Sequence, residues 1–310
     1  NNSHTLDFVN KALETLDQVG WEHAEDVLAT TVDAITDAGR AEETNTWTQP
    51  IDVAALCFDA HDDLPELVAA GEGIAWTQPD DFVETLLDDD PHAIDDALRD
   101  AIRAGATTQQ LAHAIAVAAM RRVAHFSTSN EFADWNTVHH TVSYANAVES
   151  LARRTDADDV FRACWDAAMS VYLDRFLNEP PVPIPDPGDG DTNADPAAIR
   201  DDLLAAFDEQ GNVDEAGRLV ASHFDADGDP EALKRTMAKG LLREDANFHT
   251  LQNVEAGFRQ FEFARTDAER RLALLAPARF MAAHFPTRRA DEQTFTIARR
   301  LFRGEAIHEG

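Results

Sequence analysis

Cysteine is almost absent from this chain of 310 residues, which contains only Cys57 and Cys164. Neither has a second cysteine at Cys-x-x-Cys spacing, so the sequence excludes a zinc ribbon, a disulfide framework and a thiolate-bound iron–sulfur cluster. Glycine-rich phosphate loops, dinucleotide fingerprints and the His-Glu-x-x-His and Gly-x-Ser-x-Gly motifs are missing too. Any redox equivalent used by this protein must therefore arrive from another molecule.

Long apolar runs are also missing. No run approaches the roughly 20 residues that span a bilayer, and residues 1–10 lack a basic region followed by an apolar stretch. We therefore expect a cytoplasmic protein with no membrane partner. The chain opens with neither Met nor a recognisable leader, which leaves open whether a domain upstream of Asn1 is missing.

Basic residues are scarce: 26 Lys and Arg stand against 58 Asp and Glu, a formal net charge of −32. Such self-repulsion needs screening, and the Debye length falls from roughly 8 Å at physiological ionic strength to about 3 Å at 1 M salt. Only Lys11, Lys234 and Lys239 are lysines. This composition resembles that of halophilic, archaeal proteins. Mimicry of nucleic acid or binding of a basic partner is the alternative, but the acids are spread through amphipathic stretches rather than massed in one tail, so we expect no nucleic-acid partner.

What the chain does have is helical periodicity almost throughout. Leu6, Val9, Leu13, Leu16 and Val19 begin a stripe that runs to about residue 35, with a break at Gly20. Further helices are predicted at 51–60, 64–71, 80–88, 92–103, 107–126, 131–153, 157–177, 196–208, 212–223, 230–245, 249–264, 267–284 and 289–303. The pattern predicts an all-α protein, a multi-helix bundle. Internal helical repeats are suggested because Leu111, Ala116, Arg121, Ala124 and Phe126 recur as Leu233, Ala238, Arg243, Ala246 and Phe248, always 122 positions later.

Proline, glycine and aspartate dominate residues 179–197, at a density that no helix tolerates. This stretch predicts a linker between a helical domain, 1–178, and a helical segment, 198–310. We expect the second segment to pack on the first and share one site with it, because its histidine segment echoes that of the first.

Twelve histidines are many for a chain so poor in other basic residues. Four of them, His4, His61, His92 and His308, lie near termini, helix ends or acidic runs and are expected in solvent. The other eight fall mostly on or beside apolar stripes: His23, His113, His125, His139, His140, His223, His249 and His284. A single histidine on an apolar face is most often a core residue bonded to a carbonyl or carboxylate, whereas several of them together can enclose a metal ion.

Three segments share a layout in which an aromatic or apolar residue precedes the histidine. They are Trp21-Glu22-His23-Ala24, Val138-His139-His140-Thr141 and Phe248-His249-Thr250-Leu251. In the last two, a polar residue follows the histidine-threonine pair, Asn146 in one and Glu255 in the other. Glu22, Glu131, Asn146 and Glu255 could accept hydrogen bonds from ligand imidazoles or join the coordination.

The stretch from His125 to His140 packs three histidines, two acids and three aromatics into sixteen residues between two helices. This is a higher density of functional groups than a connector needs. We expect the two helical arms that carry His125 and His140 to face one pocket.

These residues resemble those of a known family. Four segments, 21–24, 125–140, 169–178 and 241–250, are similar to the helical region that accompanies Rieske ferredoxin domains in a bacterial and archaeal family, and the likeness covers nearly the whole chain. The His-Thr helices more weakly resemble those of questin oxidase-like proteins. The second resemblance implies a non-haem iron oxygenase, and the lack of a Rieske motif here implies that any such cluster sits on another polypeptide or on a removed portion.

The site that this resemblance implies has His23, His125, His140 and His249 as ligands, with His113 and His139 in reserve. The metal is a transition metal, iron first, with zinc or another as alternatives. An apolar pocket would hold a small organic substrate and be lined by Trp21, Phe126, Trp135, Tyr144 and Phe248. A ferredoxin-like protein is the expected electron donor.

Two other functions stay open. The lack of every well-defined catalytic motif is consistent with a non-catalytic helical scaffold or a regulatory subunit of a redox system. A haem protein that uses His23 or His249 as an axial ligand is the third interpretation, although the sequence has no Cys-x-x-Cys-His pattern.

Overall fold

The computed structural model describes residues 4–37, 51–132 and 134–305, and every regular element in those ranges is helical. This confirms the predicted all-α multi-helix fold. The chain divides into two compact units, Asn1–Val182 and Pro183–Gly310.

The α-helices of the described ranges are α1 His4–Val19, α2 Ala24–Ala29, α3 Val32–Thr36, α4 Val53–Gly71, α5 Phe82–Leu86, α6 Pro91–Arg103, α7 Thr108–Ala124, α8 Asp134–Ala152, α9 Val160–Leu173, α10 Pro196–Ala206, α11 Val213–Asp225, α12 Pro230–Leu242, α13 Phe248–Phe263, α14 Asp267–His284 and α15 Asp291–Phe302. Short 3₁₀ helices cover Trp21–His23 and Arg175–Asn178.

Helix α7 is the centre of the first unit. Its sequence is rich in alanine, and almost every side chain in it is buried, which lets α8 and α9 approach it closely. Helix α1 packs on the other side of α8. Helix α8 is therefore the element on which both α1 and the core converge, and it carries His139 and His140.

Helix starts follow from local chemistry that is visible in the sequence. Three helices begin at an Asp-Pro pair, in which the carboxylate of Asp90, Asp195 or Asp229 accepts a backbone N–H and the proline occupies the first turn. Thr107 and Thr266 form reciprocal capping boxes with Gln110 and Glu269. These signals explain why the predicted starts of α6, α10, α12 and α14 lie within one residue of the observed ones.

The predicted break between 51–60 and 64–71 is wrong. A single helix, α4, runs through Pro65. Its apolar residues keep one buried face across the proline, from Ala60 to Leu64 and Leu67, so burial of that face outweighs the hydrogen bond that proline removes.

The second unit is built around α14, which packs against α11 and α13. Gly257 allows the approach of α13, because a Cβ at that position would lie 2.6 Å from Cγ of Pro277 and 2.7 Å from the carbonyl oxygen of Ala273. The middle of α14, from Leu272 to Ala282, is buried without interruption. The two buried guanidinium groups of α14, Arg271 and Arg279, are therefore paired with acids, Asp225 and Asp214.

The boundary between the units falls inside the predicted linker. Residues 185–190, which we call the strap, are held against the second unit rather than left free. The backbone N–H groups of Gly188 and Gly190 donate to the carboxylate of Asp225 at 2.9 and 3.0 Å. Arg271 donates to that carboxylate and to the carbonyl of Asp186. The half of the linker after residue 182 is thus part of a folded unit.

No helix in the part of the chain that the structure describes is both long and apolar enough to cross a membrane.

Candidate metal centre

Two histidines from different helices of the first unit meet between α1 and α8. His4 begins α1, and His140 lies in the second turn of α8. Their ring centroids are 4.7 Å apart at an interplanar angle of 89°. A ligand nitrogen on one ring lies within 4.8 Å of a ligand nitrogen on the other. Both side chains are half-buried, so each is held in place and still reachable.

The face of α1 that is buried is unusually polar. Asp7 and Asn10, one turn apart, are only 1% and 2% exposed. The Oδ2 atom of Asp7 lies 3.9 Å from Nδ1 of His4, and Nδ2 of Asn10 donates to Glu14. In metal sites a carboxylate that hydrogen-bonds to the imidazole orients the histidine ligand; here the two groups face each other at slightly more than hydrogen-bond distance.

The environment of His4 favours its neutral form. Burial lowers the pKa of His4 below its ordinary value. The ring also stacks on Phe8, with centroids 5.1 Å apart and an interplanar angle of 9°. His4 was expected in solvent because it stands near the start of the chain, and the structure places it half-buried instead.

On α8, His139 and Asn146 point into the protein and are 0% and 1% exposed. The ring of His139 lies 5.7 Å from that of His140. Tyr144, half-buried, follows His140 by one turn and so shares its side of the helix. His140 and Tyr144 thus share one side of α8, whereas His139 faces the interior.

His125 has a different environment. Its Nδ1 lies 2.7 Å from the carbonyl oxygen of Val182, and its own carbonyl accepts the N–H of Val182. Asn130 donates to the carbonyl of Leu177 at 2.7 Å, and the backbone N–H of Ser127 donates to the same oxygen. The polar residues at the start of the 125–140 stretch thus form hydrogen bonds with residues 177–182. These residues have a structural role.

His113 belongs to a buried polar cluster. Its Nδ1 lies 3.0 Å from Oε1 of Glu149, and Arg153 donates to the same oxygen at 2.7 Å. Glu149 is 0% exposed. The contacts with His113 and Arg153 compensate for the free-energy cost of burying the Glu149 carboxylate.

The remaining predicted residues of the first unit fall into two groups. Trp21, Glu22, His23 and Glu131 are exposed, and the indole N–H of Trp21 donates to Asp17. Phe126 and Trp135 are 0% and 3% exposed and pack on each other, with ring centroids 4.0 Å apart. Within the described ranges, neither His23 nor His125 belongs to a group of three or more potential ligand side chains.

In the second unit, His249 is half-buried at the start of α13, and its ring lies 4.0 Å from that of Phe248. Burial lowers the pKa of His284 below its ordinary value, and the charge of a protonated His249 would lower it further. Glu255 lies 3.6 Å from Arg259, one turn along the same helix. The convergence of His249 with His140 stays a prediction of the sequence.

Sequence reasoning missed His4 and Asp7. Asp7 falls outside the stripe of Leu6, Val9 and Leu13, yet it is buried while those three are only half-buried. A His-x-x-Asp spacing, which places both side chains on one helix face, is the signal that could have pointed to them.

No protein-family model matches this chain, and neither a curated protein nor a solved structure is significantly similar to it. The fold and the site therefore define an all-α protein with a pair of converging histidines.

Proposed function

We propose that the first unit binds a transition metal ion through His4 and His140, and that the protein is a metal-dependent oxidoreductase acting on a small organic substrate. The observation that carries this proposal is the approach of two imidazole nitrogens to within 4.8 Å, between two helices and beside a buried carboxylate.

The distance is close to what an ion requires. Two nitrogens bound at about 2.1 Å to one tetrahedral ion lie about 3.4 Å apart. Small rotations of two half-buried rings would close the difference. His4 and His140 each come from a helix with its own packing, so the backbone positions are fixed before an ion arrives.

Asp7 gives the pair an orienting group. With Nδ1 of His4 turned towards Oδ2 of Asp7, the carboxylate can accept the Nδ1 proton and leave Nε2 of His4 for the ion. His139, buried beside His140, is the proposed reserve ligand. The sequence-based prediction adds His249 as a further ligand.

The donor set favours a borderline metal, and we propose iron, with zinc as the alternative. An ion with open coordination positions supplies Lewis-acid and redox chemistry to a substrate oxygen or to O₂. The chain's own residues would bind and shield the substrate: Phe8 and Tyr144 present aromatic surface beside the two histidines. A ferredoxin-like protein is the proposed electron donor.

The proposed setting is the cytoplasm of a salt-adapted, archaeal cell. The support is the charge of −32, whose repulsion molar salt screens. Experiments on the protein therefore belong in buffers that contain molar KCl.

A scaffold or regulatory subunit is the second candidate. This candidate is favoured because two of the histidines have structural roles. His113 is hydrogen-bonded to Glu149, and His125 is hydrogen-bonded to the carbonyl of Val182. Elemental analysis separates the two candidates. Protein expressed in metal-replete medium should retain close to one equivalent of a transition metal, whereas less than about 0.2 equivalent of any such metal would favour the scaffold.

The redox part of the proposal has its own test. A ferrous ion held by few protein ligands has open positions, so the iron-loaded protein should bind nitric oxide and give the EPR signal of a ferrous nitrosyl complex. Iron-loaded protein that gives no such signal would contradict an oxygenase.

A further inference from the structure

The last described helix, α15, has an apolar side that the described chain does not cover. None of its residues is buried. Phe295, Leu301 and Phe302 are 65%, 54% and 93% exposed. At 100° per residue these three fall, with Ile297, within one arc of about 160°. Such an exposed apolar stripe marks an interaction surface.

The opposite side of α15, with its C-cap, carries three arginines against one acid, Glu292 in the first turn, which is exceptional in a chain with so few cations. Arg299, Arg300 and Arg303 fall in the polar half of the same helix. Arg300 lies 3.6 Å from Glu305, and the Arg299 guanidinium lies 5.9 Å from the ring of Phe295. The C-terminal half of the helix is thus both apolar and cationic.

A polar network fixes the base of α15. The carboxylate of Asp245 accepts the N–H groups of Ala290 and Asp291 at 2.8 and 2.9 Å. The carboxylate of the buried Glu244 accepts hydrogen bonds from Arg289 and from Thr287. The helix is therefore held at its start, although its faces are exposed.

The complementary surface lies at the other end of the chain. We call residues 4–37, the helices α1 to α3, the N-terminal hairpin. Its stretch 12–37 contains seven acidic residues and no Lys or Arg. The same stretch exposes Val19, Trp21, Val32 and Ile35, each 51–53%. This surface is both apolar and anionic.

We propose that α15 of one molecule docks on the N-terminal hairpin of a second copy of this chain. The two surfaces match in both properties: apolar side chains can cover one another, and the three arginines meet acids such as Glu25 and Asp33. Opposite charges select the partner and orient it. In molar salt, where charges are screened, apolar burial sustains the contact. A two-fold axis makes the contact twice per dimer.

An anionic membrane could also receive a basic amphipathic helix. We favour a second copy because it covers the exposed apolar side chains of the hairpin as well as those of the helix, whereas a bilayer bound by α15 covers only the helix.

Sedimentation or light scattering in molar KCl tests the proposal. The wild-type chain should have twice the mass of 34.1 kDa. Phe302→Asp, at a position 93% exposed and so harmless to the fold, should give monomers. The matched control is Leu242→Asp, an exposed apolar position of the same unit (80%), which should leave the dimer intact.

Charge reversal tests the pairing itself. Arg299→Glu with Arg303→Glu should weaken self-association at least tenfold at the lowest KCl concentration at which the wild type stays folded, and combining these changes with Glu25→Arg and Asp33→Arg should restore it. A monomeric wild type, equal behaviour of the two Asp variants, or no rescue would overturn the proposal. Wild-type monomers that bind anionic vesicles through α15 would overturn it in favour of a membrane.

Discussion

Asp225 and Arg271 form an ion pair with side chains only 5% and 8% exposed, and the strap is bonded to both. Burial alone would raise the pKa of the Asp225 carboxyl. The hydrogen bond from Arg271 and the two glycine N–H groups hold the pKa below its ordinary value instead. Because the pair is buried, molar salt screens it far less than it screens surface pairs.

This relationship predicts that Asp225→Asn loosens the strap. The change leaves a buried guanidinium without its counter-charge and weakens the acceptor for two backbone donors. Hydrogen exchange at Gly188 and Gly190 should accelerate, and the free energy of unfolding of the second unit should fall by about 3 kcal/mol. Asp201→Asn, at an exposed position of α10, is the control and should change neither quantity. Unaltered exchange at both glycines in Asp225→Asn would show that Asp225 does not hold the strap.

A second prediction concerns pH. His223 is 0% exposed, its Nε2 lies 3.2 Å from NH1 of Arg200, and its ring faces Gly228 closely enough that a Cβ there would lie 2.3 Å from Cε1. Burial, and then the charge of Arg200, lower the pKa of His223 to about 4. Since the unfolded histidine titrates near its ordinary value, stability should be lost as pH falls from about 6.5 to 4, by at most about 3 kcal/mol.

Comparing wild type with His223→Gln over that pH range isolates the effect, because glutamine can still accept from Arg200. The two stability curves should converge as pH falls, while His92→Gln, at an exposed position, should run parallel to wild type. An imidazole NMR titration gives the same pKa directly. A His223 midpoint at or above 6.5 would show that the side chain is not buried as described.

The helical architecture could be predicted from the sequence because it rests on local signals. Apolar periodicity and the Asp-Pro and threonine caps act within a few residues, and they place the start of α14 at Asp267 correctly. Pro65 shows the limit: whether a proline ends a helix depends on what the continued helix buries, which is a tertiary quantity.

The candidate site was harder to predict. His140 was proposed as a ligand from the histidine-threonine layout and the polar stretch 125–140, whereas His4 and Asp7 acquire significance only through the packing of α1 on α8. Asp7 lies off the apolar stripe, so the sequence alone suggests that it is exposed, yet it is buried in the structure. Conversely, the dense polar stretch after His125 indicated chemistry, and its first residues turn out to satisfy the backbone of 177–182.

The most direct test of the central claim is the affinity of metal-free protein for Zn²⁺, measured by competition with a chelator in molar KCl. We predict one tight site in the wild type, an affinity at least about tenfold lower in His4→Ala and in His140→Ala, and no change in His92→Ala. His249→Ala shows separately whether that histidine joins the site. A wild type without a tight site, or His4→Ala and His140→Ala variants that bind Zn²⁺ as well as wild type, would contradict the account.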